Sequence, residues 1–288
     1  MSKSLPKLIV LARVAGVGKS TYVKNHFKDI AIVSTDAIRL ELFNDLTQEN
    51  NQLVFKTAHA RIHDTLEKGE TVVFDATNLT LKRRKQIFEQ YKQLAIVEVH
   101  MVWKPLQEIL HQNNQREGKA CVPEHIIHDM YKALQPPREG FDCHNAIIVG
   151  DANKVEEEIA LYKAKDDRHN SRYHLETIPE HIDMVKAEVM KQVPHLEQVA
   201  LLHDLGKYVT RTKGEKYDSF IGHENVSAVY ASVLGQPKEI VLLIQHHMQA
   251  HNLTTKVIKR YDLNDYVDDL TRFAICDNLG RVVQTDTK

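Results

Sequence analysis

Two groups of residues in this sequence have types and spacings that can do chemistry. The first is Gly16-Val17-Gly18-Lys19-Ser20-Thr21. Small residues there let successive backbone N–H groups converge on phosphate oxygens, and a helix that follows adds its positive N-terminal end. Lys19 can then reach the β- and γ-phosphates of ATP, and the Ser20 hydroxyl can bind Mg²⁺. The pattern G-x-x-x-x-G-K-[ST] wants a glycine five residues before Gly18, where this chain has Arg13. The second group is an ordered set: His181, His203-Asp204, His223, His246-His247 and Asp277. Imidazole and carboxylate ligands suit Mn²⁺, Fe²⁺, Co²⁺ or Ni²⁺. Two such ions can clamp a phosphoryl group and supply a hydroxide nucleophile. Lys207, three residues after Asp204, could contact the same phosphate.

These residues need elements to hold them. Continuous apolar runs at Leu8–Ala12, Ile30–Val33, Thr71–Phe74, Ala95–Val102 and Ala146–Val149 alternate with helical stretches. That alternation predicts an α/β domain: a parallel sheet with helices on both faces. Carboxyl ends of such strands face the ligand crevice. Ser34-Thr35-Asp36 ends the second run and Asp75-Ala76-Thr77-Asn78 follows the third. Asp36 could accept a proton from an attacking hydroxyl. The basic run Lys82-Arg83-Arg84-Lys85 is either a phosphate-holding patch or a solvated helix face. Arg116-Glu117-Gly118-Lys119 reads as a mobile lid whose arginine folds over ATP. Beyond residue 169, apolar residues recur at three and four (Ile182, Val185, Val189; Val199, Leu202, Leu205), which predicts an all-α domain. The expected domains are residues 1–165 and 169–288, joined by the polar stretch Lys163–Arg172.

Composition agrees with two chemistries in one chain. The 288 residues suffice for two domains, and the net charge of −1 argues against a non-specific nucleic-acid coat. Residues 1–150 carry 20 basic and 17 acidic groups, whereas residues 151–288 carry 18 and 22. Nine of the 17 histidines fall in residues 169–288. His169, His195 and His251 read as surface histidines, and His174 is ambiguous. No run approaches the roughly 18–20 apolar residues of a membrane helix. Cys121, Cys143 and Cys276 are odd in number and far apart, so a disulfide framework is not expected. Both observations imply a cytoplasmic-type protein with no membrane partner.

Residues 7–142 resemble the polynucleotide 5′-kinase family of phosphate-loop proteins, on GVGKST (16–21), STDAIR (34–39), FDATNLTLKRRK (74–85), NNQREGKACVP (113–123) and PPREGFD (136–142). The resemblance implies that residues 16–21 and Arg116 bind ATP, with Ser20 on Mg²⁺. It implies that Asp36 activates a 5′-hydroxyl and Arg39 contacts the acceptor's neighbouring phosphate. Asp75, Thr77 and Asn78 would line the acceptor site, and Arg116 would stabilise the transferring phosphoryl. Arg13 and Gln112 depart from the family; many relatives have a second lid arginine at the latter position. Residues 173–280 resemble the HD superfamily of metal-dependent phosphohydrolases, on PEHIDMV, LLHDLGK, GHE, QHHM and CDNLG. By that resemblance His181, His203, Asp204 and Asp277 hold a metal such as Mn²⁺, Ni²⁺ or Co²⁺. His223, His246 and His247 could extend the site to a second ion.

Together the halves imply an enzyme that heals RNA or DNA ends. A kinase would phosphorylate the 5′-hydroxyl, and a phosphohydrolase would remove a 3′-phosphate or open a 2′,3′-cyclic phosphate. A separate ligase would then act as a partner in the same pathway. Two other readings stay open: a small-molecule kinase fused to a nucleotide phosphohydrolase, or a phosphate loop spoiled by Arg13 and kept as a binding module.

Overall fold

The computed structural model describes residues 5–46, 49–171 and 173–282; of Lys19, Ser20 and Lys119 it describes the backbone alone. The chain forms two compact units, residues 1–150 and 151–288. The first runs β1 (Lys7–Arg13), α1 (Lys19–His26), β2 (Ala31–Ser34), α2 (Thr35–Phe43), α3 (Asn51–Glu67), β3 (Val72–Asp75) and α4 (Leu81–Tyr91). It continues with β4 (Ile96–Val102), α5 (Leu106–Asn114), α6 (Glu124–Ala133) and β5 (Asn145–Val149). The second unit holds α7 (Ala152–Lys165), α8 (Ile178–Gln192), α9 (Glu197–Leu202), α10 (Lys207–Thr210) and α11 (His223–Val233). Then follow α12 (Lys238–Ala250), α13 (Thr255–Tyr261) and α14 (Val267–Leu279). Among the described residues no helix is long and apolar enough to cross a membrane.

The five strands form one parallel sheet in the order β2-β3-β1-β4-β5. β1 is central, and Leu8, Val10, Leu11 and Ala12 are each fully buried. Burial on both faces explains why this strand reads as an unbroken apolar run instead of an alternating one. Register sets the functional edge. Arg13 pairs with Val102 on β4, and Ser34 pairs with Asp75 on β3. Every strand therefore delivers its last residue to the same side of the sheet. Helix starts are fixed locally: the Ser34 hydroxyl caps α2, and the Thr80 hydroxyl accepts from the Arg83 N–H to cap α4.

In the second unit Val185, Val189, Val199, Ile244, Leu270 and Phe273 form the core between α8, α9, α12 and α14. Thr177 and Glu180 make a reciprocal capping box at the start of α8. That cap starts the helix four residues before His181. Helix α7, which the expected boundary at residue 165 assigns to the first domain, belongs to the second unit. Val155 is fully buried there, and the Tyr230 hydroxyl donates to Glu158 at 2.7 Å. The expected linker is likewise anchored, since Arg211 pairs with Asp166 at 2.8 Å.

The basic run after β3 has separate tasks. Arg84 is fully buried; its Nε donates to Asp142 at 2.7 Å, and its remaining nitrogens donate to the carbonyls of Asn78, Leu79 and Pro136. Arg83 lies over Phe55 and Lys85 over Phe141. Arg84 is thus a clamp on the β3–α4 turn. Removing one partner of a buried pair leaves the other uncompensated. Arg84→Ala should lower the unfolding free energy by about 3–5 kcal/mol in urea denaturation, whereas exposed Lys82→Ala should change it by less than about 0.5 kcal/mol.

Candidate functional site

Between β1 and α1 the chain turns through Gly16 and Gly18, at φ +95° and +94°. A side chain at Gly16 would stand 3.0 Å from both the Ile109 methyl and its carbonyl oxygen. The loop therefore packs directly onto α5, and only glycine fits. Gly18 is the N-cap of α1, so the loop leads into a helix N-terminus. The side chains of Lys19 and Ser20, read from the sequence as ATP and Mg²⁺ ligands, lie outside the described residues. Gln112, at the second lid-arginine position, instead braces the loop. With its amide oriented to suit its neighbours, it donates to the Gly16 carbonyl and accepts from Lys104 Nζ, each at 2.8 Å. Lys104 went unnoticed in the sequence because it stands alone after β4.

A cavity of about 560 Å³ opens at the carboxyl edge of the sheet, lined by Arg13, Thr35, Asp36, Arg39, Thr77 and Arg116 among others. The Asp36 side chain is 57% exposed, whereas that of Arg39 is 5% exposed, and Arg39 Nη1 donates to Asp36 Oδ1 at 3.1 Å. Arg39 Nη2 donates to Asn51 on α3. Position i,i+3 on α2 and the Asn51 contact thus aim a carboxylate and a guanidinium into one space. Asp75 and Asn78 are set deeper. Asp75 is paired with Arg13, and the Asn78 amide donates to the Leu11 carbonyl at 3.1 Å. Of that trio, Thr77 is the one at the cavity wall.

The second unit brings six of the histidine-half residues to one point. His181 Nε2 lies 3.3 Å from Asp204 Oδ2 and 3.0 Å from Asp277 Oδ1. His203 Nε2 lies 3.3 Å from Asp204 Oδ2. His223 Nε2 is 3.3 Å and His247 Nε2 3.8 Å from the other Asp204 oxygen, Oδ1. Asp204 therefore faces one pair of imidazoles with each oxygen. Each of the four rings has its Nδ1 on a backbone carbonyl: His181 on Gly280, His203 on Ala200, His223 on Phe220 and His247 on Ile244. Nδ1 is then the donor, and Nε2 presents its lone pair inward. His181 Nε2 and His203 Nε2 are buried and, among the described residues, have no hydrogen-bond partner. Buried polar atoms in that state are costly, and a divalent cation satisfies both. The donor set therefore fits a metal.

In the metal-free protein the carboxylates favour a proton where a cation would sit. Burial works against charge on His181, but the Asp277 and Glu176 carboxylates beside it hold its pKa up at about 9. Burial opposes ionisation of Asp204, yet His203 and Lys207 keep it well below the usual carboxylate range. Asp277 is likewise held low, against burial, by His181 and His251.

Several histidines fall elsewhere than the sequence suggested. His246 points away from the cluster, with its Nδ1 3.3 Å from Gln249 and its ring 4.8 Å from that of Tyr261. Successive helical residues diverge by about 100°, so packing admits His247 alone. His169 is fully buried: its Nε2 accepts from Lys207 Nζ at 3.0 Å, and burial drops its pKa to about 2. Lys207 in turn lies 2.6 Å from Asp204. His251 Nε2 bonds Asp277 Oδ2 at 2.9 Å. His174 bonds Glu176 at 2.6 Å. His195 pairs with Asp269 and stays exposed.

Residues 8–137 match the AAA domain family and residues 174–279 the HD domain family. The chain therefore joins a phosphate-loop kinase domain to an HD domain. It is similar to L-seryl-tRNA(Sec) kinase of Methanococcus maripaludis, 29% identical over 138 residues, which are 45% of this chain and 53% of that protein. The chain thus spans about half the length of this curated relative. Among solved structures, one similar chain is from the Pnkp1/Rnl/Hen1 RNA repair complex (24% identity, 46% of this chain, 44% of that one, TM-score 0.42). Another is a gluconokinase from Sinorhizobium meliloti 1021 (20% identity, 55% and 91%, TM-score 0.36).

Metal analysis of purified variants checks the cluster. Asp204→Ala should lose bound divalent metal altogether and His223→Ala should lose about half, while His246→Ala should keep the wild-type content.

Proposed function

We propose that this chain is a bifunctional end-healing enzyme acting on RNA. Its first unit is an ATP-dependent 5′-hydroxyl polynucleotide kinase; its second is a metal-dependent 3′-phosphatase and 2′,3′-cyclic phosphodiesterase. One observation carries the reading. The kinase cavity offers an exposed carboxylate tied to a buried arginine, in a chain that also builds a His/Asp cluster suited to hydrolysing phosphate esters. RNA cut through its own 2′-hydroxyl has a 5′-hydroxyl and a cyclic phosphate, so these two chemistries make both ends ligatable. A separate ligase is the partner this implies.

In the kinase unit ATP and Mg²⁺ would sit on residues 16–21. Asp36 takes the proton of the attacking hydroxyl. The new O–P bond forms at the γ-phosphorus as the bond to the β,γ-bridging oxygen breaks, and ADP leaves. Arg39 holds the acceptor phosphate next to that hydroxyl, and Arg116 stabilises charge on the transferring group. Thr77 stands on the acceptor side of the same cavity.

In the HD unit His181, His203, Asp204 and Asp277 would hold one ion, and Asp204, His223 and His247 a second; Mn²⁺, Ni²⁺ or Co²⁺ suits these donors. Bound there, such ions supply Lewis-acid activation of a phosphate ester and of water. The chain's own part is orientation. Backbone carbonyls lock four imidazoles in one tautomer, His251 steadies Asp277, and Lys207 places a cation at the edge of the cluster for the substrate phosphate.

A second reading is supported by the cavity's size, about 560 Å³, which is that of a small-molecule pocket. A compact acceptor is then the alternative. One oligoribonucleotide with a 5′-hydroxyl and a 2′,3′-cyclic phosphate separates the readings when incubated with ATP, Mg²⁺ and Mn²⁺ and read by mass spectrometry. Wild type should gain phosphate at the 5′ end and lose it at the 3′ end. Asp36→Asn should slow the 5′ step by about 100-fold or more while sparing the 3′ step. An unchanged oligonucleotide, with phosphate appearing on free nucleosides or sugar acids instead, would favour the second reading.

A further inference from the structure

Arg13 occupies the position where the phosphate-loop pattern has glycine. It is 6% exposed, and Nη2 donates to Asp75 Oδ1 at 2.5 Å. Its backbone N–H donates to the Thr77 carbonyl at 3.0 Å, so the residue is fixed at both ends. Its Nε–H is buried and, among the described residues, has no hydrogen-bond partner. A buried guanidinium N–H without an acceptor is costly. Arg13 nevertheless lines the cavity that contains Asp36, Arg39 and Arg116.

Sheet order gives the side chain its sense. β3 and β2 lie on one side of β1, and β4 and β5 on the other. The phosphate loop packs against α5, where Ile109 touches Gly16. Arg13 reaches the opposite way, to Asp75 on β3, toward the strand that presents Asp36. It therefore faces the acceptor half of the cavity. Asp75 is 2% exposed, and Arg13 offsets its charge. What remains is a fixed guanidinium with one buried N–H that has no partner among the described residues, in a cavity that Arg39 also lines. A planar guanidinium pair suits the oxygens of a phosphate ester.

We propose that Arg13 is a specificity-determining residue of the acceptor site, selecting acceptors that carry a phosphate ester beside the reactive hydroxyl. The assignment rests on reading residues 1–150 as a 5′-hydroxyl kinase and adds a second residue to the acceptor-phosphate contact made by Arg39. The arginine in the loop is then a part of the acceptor site and leaves the loop competent. Neutral polyols and unphosphorylated nucleosides would leave the Nε–H unsatisfied and be taken poorly.

The test compares cytidine 3′-monophosphate with cytidine, which offer the same 5′-hydroxyl. Binding is measured by calorimetry with the donor site saturated by Mg²⁺ and a non-hydrolysable ATP analogue; turnover is measured with ATP. Wild type should bind the phosphorylated acceptor at least 10-fold more tightly. Arg13→Lys keeps a positive charge near Asp75 but loses the fork, and circular dichroism checks that the variant folds. In that variant the preference should fall about 10-fold, in KM and not in kcat, with Arg39 supplying the remainder. Arg13→Gly should lose the same preference where it folds. Equal binding of the two acceptors by wild type, or an undiminished preference in Arg13→Lys, overturns the proposal. So does a fall in kcat shared by both acceptors, the mark of a merely structural role. Arg13-dependent preference in binding without phosphate transfer would uphold the proposal and reject the kinase reading.

Discussion

Four backbone carbonyls decide what the second unit can do. Each accepts the Nδ1–H of one histidine and so commits the opposite nitrogen, Nε2, to the interior. The carbonyls belong to Gly280, Ala200, Phe220 and Ile244, which lie in four separate parts of the helical unit. The helical packing therefore exists in register with the cluster. Gly280 shows the tightness required: a Cβ there would stand 2.5 Å from a Val185 methyl. A side chain at that place would push α14 from α8 and take both Asp277 and the His181 carbonyl partner with it. Asp204 then has an imidazole pair at each oxygen, with the Lys207 ammonium 2.6 Å from one of them.

The first unit depends on a comparable constraint at a smaller scale. Parallel register brings Arg13, Ser34 and Asp75 to one edge, and the glycines of the loop let α5 close against it. The departures from the family pattern belong to this geometry. Gln112 braces the loop from α5 while Arg13 reaches across to β3. The two sides of the loop are thereby supported by different elements, α5 and β3.

Much of this was legible in the sequence. The sheet was, because central parallel strands must be apolar on both faces, as Leu8–Ala12 are. The gathering of His181, His203, Asp204 and Asp277 was, because histidine and aspartate recurring at helical apolar positions point to a shared task. Other features depend on partners far away in the chain. His169 looks like a surface residue until Lys207, 38 positions on, is placed against it. Helix α7 reads as the end of the first domain until Glu158 meets Tyr230, 72 positions later. His246 and His247 are indistinguishable as letters, and the packing of α12 separates them. The basic run at residues 82–85 left a phosphate patch and a solvated face both open, because charge is visible in sequence and burial is not.

The proposed role of Asp204 is to bridge two metal ions. Electron paramagnetic resonance of metal-free protein titrated with Mn²⁺ tests it directly. The account predicts the spectrum of a magnetically coupled pair as the second ion binds, and its loss in His247→Ala with single-ion binding retained. An uncoupled single-ion spectrum at every loading of the wild-type protein would contradict it.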